Sequence, residues 1–94
     1  MNITIQTLHF KADKELETFV RDKVSKLFDQ SNKIIRAEVS LFEGAKGETN
    51  KYYCEIRLVI PGYDHFAKKN SISYEQSVLD TIEALQTIIS KVKK

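Results

Sequence analysis

The chain has 94 residues, of which 41% are apolar and 30% are charged, with only three Gly and one Pro. This length and composition predict one folded domain and exclude disordered, collagen-like and low-complexity chains. The formal charge of +2 excludes a polybasic protein, so any contact with nucleic acid must come from locally clustered cations. A domain of this size has little room for an enclosed active site, which favours binding over catalysis.

The chain shows no sign of disulfide bonding, secretion or membrane insertion. Its single cysteine, Cys54, lacks the partners that an internal disulfide or a structural zinc site requires. No apolar run reaches the roughly 18 residues that span a bilayer, and residues 1–10 lack the basic start and apolar stretch of a secretory signal. We therefore expect a cytoplasmic protein with no membrane partner.

The first half of the chain predicts a strand, a helix and a second strand. Residues 2–9 alternate as a strand. Between residues 12 and 29 apolar side chains recur every three or four positions, which predicts an amphipathic helix with Asp13 as its N-cap. The next strand is predicted to alternate between two faces. Its inner face holds Ile35, Ala37, Val39 and Leu41, and its outer face holds Arg36, Glu38 and Ser40.

The second half predicts two more strands and a second helix. Residues 52–60 turn their even-numbered side chains inward, and Pro61-Gly62 ends that strand. A further strand with a less regular alternation is predicted at 64–71. Ser73, followed three residues later by Gln76, fits a capping box that opens a helix over 73–91. The residues expected to be buried are Val24, Leu27, Val39, Ile56, Leu58, Ile82, Leu85 and Ile89.

These elements predict an α+β fold with the order β-α-β-β-β-α. Short connections favour an antiparallel meander for the last three strands, and the apolar stripes of both helices need the same covered sheet face. We expect a four-stranded sheet with two parallel helices on one face and water on the other. This layout is like the double-stranded-RNA-binding fold with an added strand.

The sequence offers little for catalysis or metal binding. His9 and His65 are far apart and lack the paired spacing of a metal site. The strand alternation turns Cys54 inward, where a thiol is a small apolar core group rather than a nucleophile. The three glycines lie in connections between strands, which argues against a phosphate-binding loop. We expect no enzyme activity, cofactor, metal or small-molecule substrate.

Lysines are placed unevenly on the two helices. Lys23 and Lys26 adjoin on the surface of the first helix, and the second ends in Lys91, Lys93 and Lys94. They fit an ordinary solvated surface, since cations complement the negative end of a helix. If the helices are parallel, both basic ends instead meet at one edge and form a phosphate-binding patch. No aromatic cluster for stacking bases is evident, and the pattern leaves both interpretations open.

Several segments along the chain resemble a known family. They are residues 2–6, 8–10 and 12–13, the K-V-S-K-L at 23–27, and residues 34–41, 55–62, 66–68, 73–75 and 83–85. Their order and spacing resemble the short ribosome hibernation promoting factors in their Bacteroidetes-type versions. The family is also called ribosome-associated translation inhibitors or sigma-54 modulation proteins. The resemblance covers nearly the whole chain.

The resemblance implies a function and a set of site residues. It implies one domain over residues 1–94 without the C-terminal dimerisation domain of long members. Such a domain binds the rRNA of the small ribosomal subunit in the mRNA and tRNA path, and it inactivates idle ribosomes in the stress and stationary-phase response, without catalysis. The RNA-binding residues it assigns are Lys23, Lys26, Lys91, Lys93 and Lys94. A weak homodimer is left open.

The sequence also departs from the family pattern in the second helix. Leu79 stands where the family usually has an acidic residue, and Gln86 and Thr87 stand where it usually has a basic pair. The departures predict ribosome binding that is weaker and therefore lost at lower salt than in a typical member, for which Lys68 and Lys69 could compensate. Leu79 and Ile88 also widen the apolar stripe, through core packing or a protein-contacting surface. A divergent protein-interaction module that has lost ribosome binding is therefore the alternative function.

Overall fold

The computed structural model describes the backbone of residues 1–92 and the side chains of residues 1–91. Its elements follow one another as predicted, with each boundary within two residues of the predicted one. They are β1 (Ile3–Thr7), α1 (Lys14–Gln30), β2 (Arg36–Glu43), β3 (Tyr52–Ile60), β4 (Tyr63–Ser71) and α2 (Tyr74–Val92).

The strands form one mixed sheet in the order β1-β2-β3-β4. β1 pairs parallel with β2, and β2, β3 and β4 form the predicted antiparallel meander. α1 is the crossover between the parallel strands, so it runs opposite to them. α2 follows β4, which points the same way as β2. The two helices are therefore parallel, as the sequence predicted.

One face of the sheet is covered by both helices. The inner residues of β2, β3 and β4 share a single apolar cluster with the buried sides of α1 and α2, and all eight residues predicted to be buried belong to it. The opposite face is open to solvent, as expected. It carries the stacked rings of Phe42 and Tyr53, with centroids 5.1 Å apart, and ion pairs cross it. Arg57 lies between Glu38 at 3.7 Å and Asp64 at 2.7 Å. The α+β prediction with helices on one face is confirmed.

The prediction for Ile35 is wrong. This side chain is 52% exposed, whereas its neighbour Ile34 is buried at 8%. β2 begins at Arg36, which lies opposite Val59, yet the Ile35 N–H also donates to the Val59 carbonyl at 2.8 Å. Two consecutive residues therefore face one residue of β3, and the alternation breaks between them. The chain arriving from α1 instead turns Ile34 into the core.

The predicted N-cap of α1 is confirmed, and the predicted capping box of α2 is confirmed in one of its two hydrogen bonds. The Asp13 carboxylate accepts from the Leu16 N–H at 2.8 Å, which confirms it as the N-cap of α1. At α2 the Gln76 N–H donates to the Ser73 hydroxyl at 3.1 Å. The Gln76 side-chain nitrogen donates to the Asp80 carboxylate at 2.9 Å, and among the described residues the Ser73 N–H makes no return bond to the Gln76 side-chain oxygen, so only half of the capping box forms.

Two buried hydroxyl groups attach α2 to β3. Ser77 and Thr81 are fully buried. The Ser77 hydroxyl lies between the carbonyls of Tyr52 and Ser73, and the Thr81 hydroxyl lies 3.2 Å from the Cys54 carbonyl and 2.7 Å from that of Ser77. Each hydroxyl thus has acceptors on both the strand and its own helix. These contacts fix how far α2 is shifted along the sheet.

Candidate nucleic-acid interface

The C-terminal ends of the two helices lie side by side. The Gln30 side-chain amide in the last turn of α1 donates to the Gln86 carbonyl at 3.3 Å and to the Ser90 hydroxyl at 3.1 Å. Positions three, four, seven and eleven residues from these contacts lie on the same sides of the helices. They define the interhelical groove, which is lined by Phe19, Lys23, Lys26 and Gln30 of α1 and by Leu79, Glu83, Gln86 and Ser90 of α2.

Lys23 is the more enclosed of the two predicted α1 lysines. Its side chain is 30% exposed, and its Nζ lies 3.9 Å from a carboxylate oxygen of Asp22. The same ammonium stands 5.6 Å from the centroid of the Phe19 ring. A surface ion pair of this length contributes at most about 1 kcal/mol, so a phosphate can replace the carboxylate as its partner.

Lys26 is exposed one turn further along α1. Among the described residues no carboxylate pairs with it at ion-pair distance, so its charge is available to a ligand. Lys23 and Lys26 are neighbours at i and i+3, and both lie on the side of α1 that faces α2. The structure therefore brings these two predicted residues together.

Lys91 lies at the same end of the molecule but outside the groove. It borders a shallow depression on α2 together with Glu83, Gln86, Thr87 and Ser90. It follows Ser90 by about 100° around the helix axis, on the side away from α1. Lys93 and Lys94 lie outside the described residues. A continuous basic edge through all five lysines stays a prediction.

The residues that depart from the family pattern lie in or beside the groove. Gln86 is half-buried there, and the Thr87 hydroxyl is bonded to the Glu83 carbonyl at 3.1 Å. Leu79 is 39% exposed, so core packing does not account for it. Ile88 does pack against the core. The groove therefore has an apolar half near Leu79 and a polar half near Gln30.

An aromatic cluster lies at the opposite end of the molecule, against the expectation that there is none. Phe10 and Tyr74 are stacked with centroids 4.8 Å apart, and Tyr52 meets Tyr74 edge-on at 5.0 Å. The three residues are far apart in sequence, so the fold alone reveals them. Burial raises the pKa of Tyr74 to about 12, with smaller contributions from Glu43 and Tyr52. The stacked pair is partly buried against the core, so its role is to pack the fold and not to stack on bases.

The remaining candidate groups have structural roles. Cys54 is fully buried, and burial raises the pKa of its thiol to about 12, which keeps it protonated. Within residues 1–92 no group of three His, Cys, Asp or Glu side chains is arranged to hold a metal ion. In that same part of the chain, neither helix is long and apolar enough to cross a membrane.

Comparisons with known proteins point to one family. The model of the family described as sigma 54 modulation protein / S30EA ribosomal protein matches residues 3–94. A ribosomal subunit interface protein from Coxiella burnetii has a TM-score of 0.85 at 17% identity, with 99% of this chain and 98% of that chain covered. The N-terminal domain of Protein Y from Thermus thermophilus has a TM-score of 0.82 at 17% identity, with coverage of 99% and 100%. No curated protein matches the sequence.

Proposed function

Because the chain belongs to the sigma 54 modulation protein / S30EA ribosomal protein family, we propose that it binds the small ribosomal subunit and inactivates idle ribosomes. Family membership supports association with the ribosome, and hence a place in the cytoplasm and a role in translation. The finer proposal concerns how it binds. It acts by occupying the mRNA and tRNA path, which requires affinity for rRNA and no catalysis.

Lys23 and Lys26 supply the central contacts in this proposal. The observation that carries it is their placement side by side on the wall of the interhelical groove, with Lys26 free of carboxylates among the described residues. Lysine is a flexible point charge that binds phosphate without reading base sequence. The family resemblance adds Lys91, Lys93 and Lys94 to the proposal as further rRNA contacts. The groove recognises the shape and phosphates of folded rRNA.

Cosedimentation with purified ribosomes at two salt concentrations tests the proposal. The double variant Lys23→Glu with Lys26→Glu replaces attraction by repulsion and should abolish cosedimentation at moderate salt. Each lost phosphate contact lowers the slope of log binding constant against log salt by roughly 0.7 to 0.9, so neutral replacement of both by Gln should lower it by about 1.5.

A matched control keeps the overall charge change but moves it away from the groove. Lys11 and Lys46 are exposed at the end where the helices start. Lys11→Glu with Lys46→Glu should therefore retain most of the binding. Lys51 is a poorer control because it is paired with Glu43 at 3.3 Å. If the groove variant binds as well as this control, the proposed site is wrong.

Protein interaction is the second candidate function, and the apolar half of the groove favours it. Leu79 is exposed beside the half-buried Phe19 on the facing helix. Such a surface could receive an apolar side chain of a protein partner. Its binding would change little with salt and would be lost in Leu79→Glu. Ribosome binding that falls steeply with salt and survives Leu79→Glu contradicts this alternative.

A further inference from the structure

The sheet has one long open edge, which is β4. This strand is nine residues long and pairs with β3 on one side only. The other edge, β1, has five residues, and the Arg21 guanidinium covers part of it by donating to the Ile3 carbonyl at 2.9 Å. A long edge strand without proline or bulge is a template for pairing with another chain, and its charged side chains limit that pairing to registers that keep like charges apart.

The backbone groups that β4 offers at this edge can be assigned from the neighbouring strands. The Val59 carbonyl accepts from the Ile35 N–H at 2.8 Å, so odd residues of β3 point their backbone at β2 and even ones point theirs at β4. Since Leu58 pairs with His65 in the antiparallel register, odd residues of β4 bond to β3. The residues that direct N–H and C=O outward are Asp64, Phe66, Lys68 and Asn70.

We propose that two copies of the chain pair antiparallel through β4, with Phe66 on the twofold axis. Phe66 then exchanges backbone hydrogen bonds with Phe66 of the second copy, and their 54% exposed rings meet on the open sheet face. Asp64 lies directly opposite Lys68 of the second copy, and the symmetry repeats this pair. Opposite charges across an antiparallel pair stabilise it.

The charges select this register among its neighbours. A twofold axis at Asp64 or at Lys68 places like charges directly opposite each other, which is destabilising. An axis at His65 pairs Asp64 with Phe66, and an axis at Ala67 pairs Lys68 with Phe66. Neither of these brings opposite charges together. The Phe66-centred register is the one that brings opposite charges together across the twofold axis, with the Asp64 carboxylate shared between Arg57 of its own chain and Lys68 of the second copy.

The helical layer is compatible with the continued sheet. Four strands at about 4.8 Å span roughly 19 Å, which two helices of about 10 Å diameter cover. A second copy therefore places its α2 beside the first at about the native helix spacing. Ala84 and Ile88 lie about 200° around α2 from Gln86 and Ser90, on the side away from α1. Both are half-buried and apolar, and they form the helix contact of this dimer.

Sedimentation equilibrium over a range of protein concentrations tests the proposal. We expect a concentration-dependent dimer, with the dissociation constant raised about tenfold or more in Lys68→Asp and in Asp64→Lys, which place like charges opposite each other. An equimolar mixture of the two variants should dimerise again, because acidic residues at 64 and 68 of one chain face lysines of the other. Glu15→Lys, on the exposed side of α1, is the charge control.

Hydrogen exchange of the wild-type protein identifies the surface directly. As concentration rises, the amides of Asp64, Phe66 and Lys68 should gain protection, whereas the amide of Ala67 is already bonded to β3. Circular dichroism of each variant checks that the monomer fold is kept. A wild-type protein that stays monomeric at millimolar concentration overturns the proposal. So does a dimer that both single variants leave intact, or a variant mixture that stays monomeric.

Discussion

At the scale of single residues, strand alternation predicts which face a side chain occupies reliably within an element and poorly at its ends. Cys54 lies in the middle of β3, so both of its strand neighbours constrain it, and its burial was predicted. Ile35 lies one residue before β2 and turned out to be exposed. The alternation of a strand comes from its pleat, and it is broken here because Ile35 and Arg36 both lie opposite Val59.

Cys54 gives a prediction about pH. Burial raises the pKa of its thiol from 9.0 to about 12, so the folded chain holds this proton more tightly than the unfolded chain does. The stabilisation is fully present below about pH 9 and is lost as pH rises towards 12, by up to about 1.4 kcal/mol per pH unit. Urea unfolding at pH 8 and pH 10.5 should show the wild type losing stability relative to Cys54→Ala.

A chemical test accompanies the pH series. The native protein at pH 8 should react with a thiol reagent only on the timescale of unfolding, because the reactive thiolate is nearly absent and the sulfur is covered. Cys54→Ala should leave ribosome cosedimentation unchanged. Rapid labelling of the folded protein, or parallel pH dependence for the two chains, would show that the thiol is not the buried group described.

At the scale of elements, helices and strands follow from local periodicity, but their attachments do not. The stripes of α1 and α2 predicted both helices and their buried sides. The hydroxyl contacts of Ser77 and Thr81 with β3 join residues more than 20 positions apart. The aromatic cluster likewise joins the β1–α1 connection to β3 and α2. Such contacts depend on how elements are placed against each other, which no local pattern contains.

The N-cap of α1 gives a prediction at this scale. Asp13→Ala removes the acceptor of the Leu16 N–H, and it also removes a negative charge from the positive end of the helix. The free energy of unfolding should fall by about 1 kcal/mol, as measured by urea titration. Asp29→Ala is the matched control, because Asp29 is exposed at the opposite end of α1, where a negative charge is unfavourable. Equal losses in the two variants would contradict the capping role.

At the scale of the whole molecule, the parallel helices bring their C-terminal ends together, and this was predictable from the order of elements. The placement of Lys91 was less predictable, because a shift of one residue turns a side chain by about 100° around its helix. The pair Lys23 and Lys26 is close in sequence and therefore stays together whatever the packing. Because of this closeness in sequence, the mutual placement of Lys23 and Lys26 could be predicted without knowing how the helices pack.

The last prediction restores the basic pair that the family pattern has in α2. Gln86 lies in the interhelical groove opposite Gln30, and Thr87 lies next to it on the exposed side. Gln86→Lys with Thr87→Arg adds two cations near Lys26, and it offsets the negative charge of Glu83 in the same depression. Cosedimentation with ribosomes should persist to higher salt, and the slope of log binding constant against log salt should steepen by roughly 1.5. Gln76→Lys with Asp80→Arg, near the start of α2, is the control. It should strengthen binding much less, although it raises the net charge by at least as much. If the two variants bind alike, general attraction of a basic protein to rRNA explains the effect, and the groove has no special part in it.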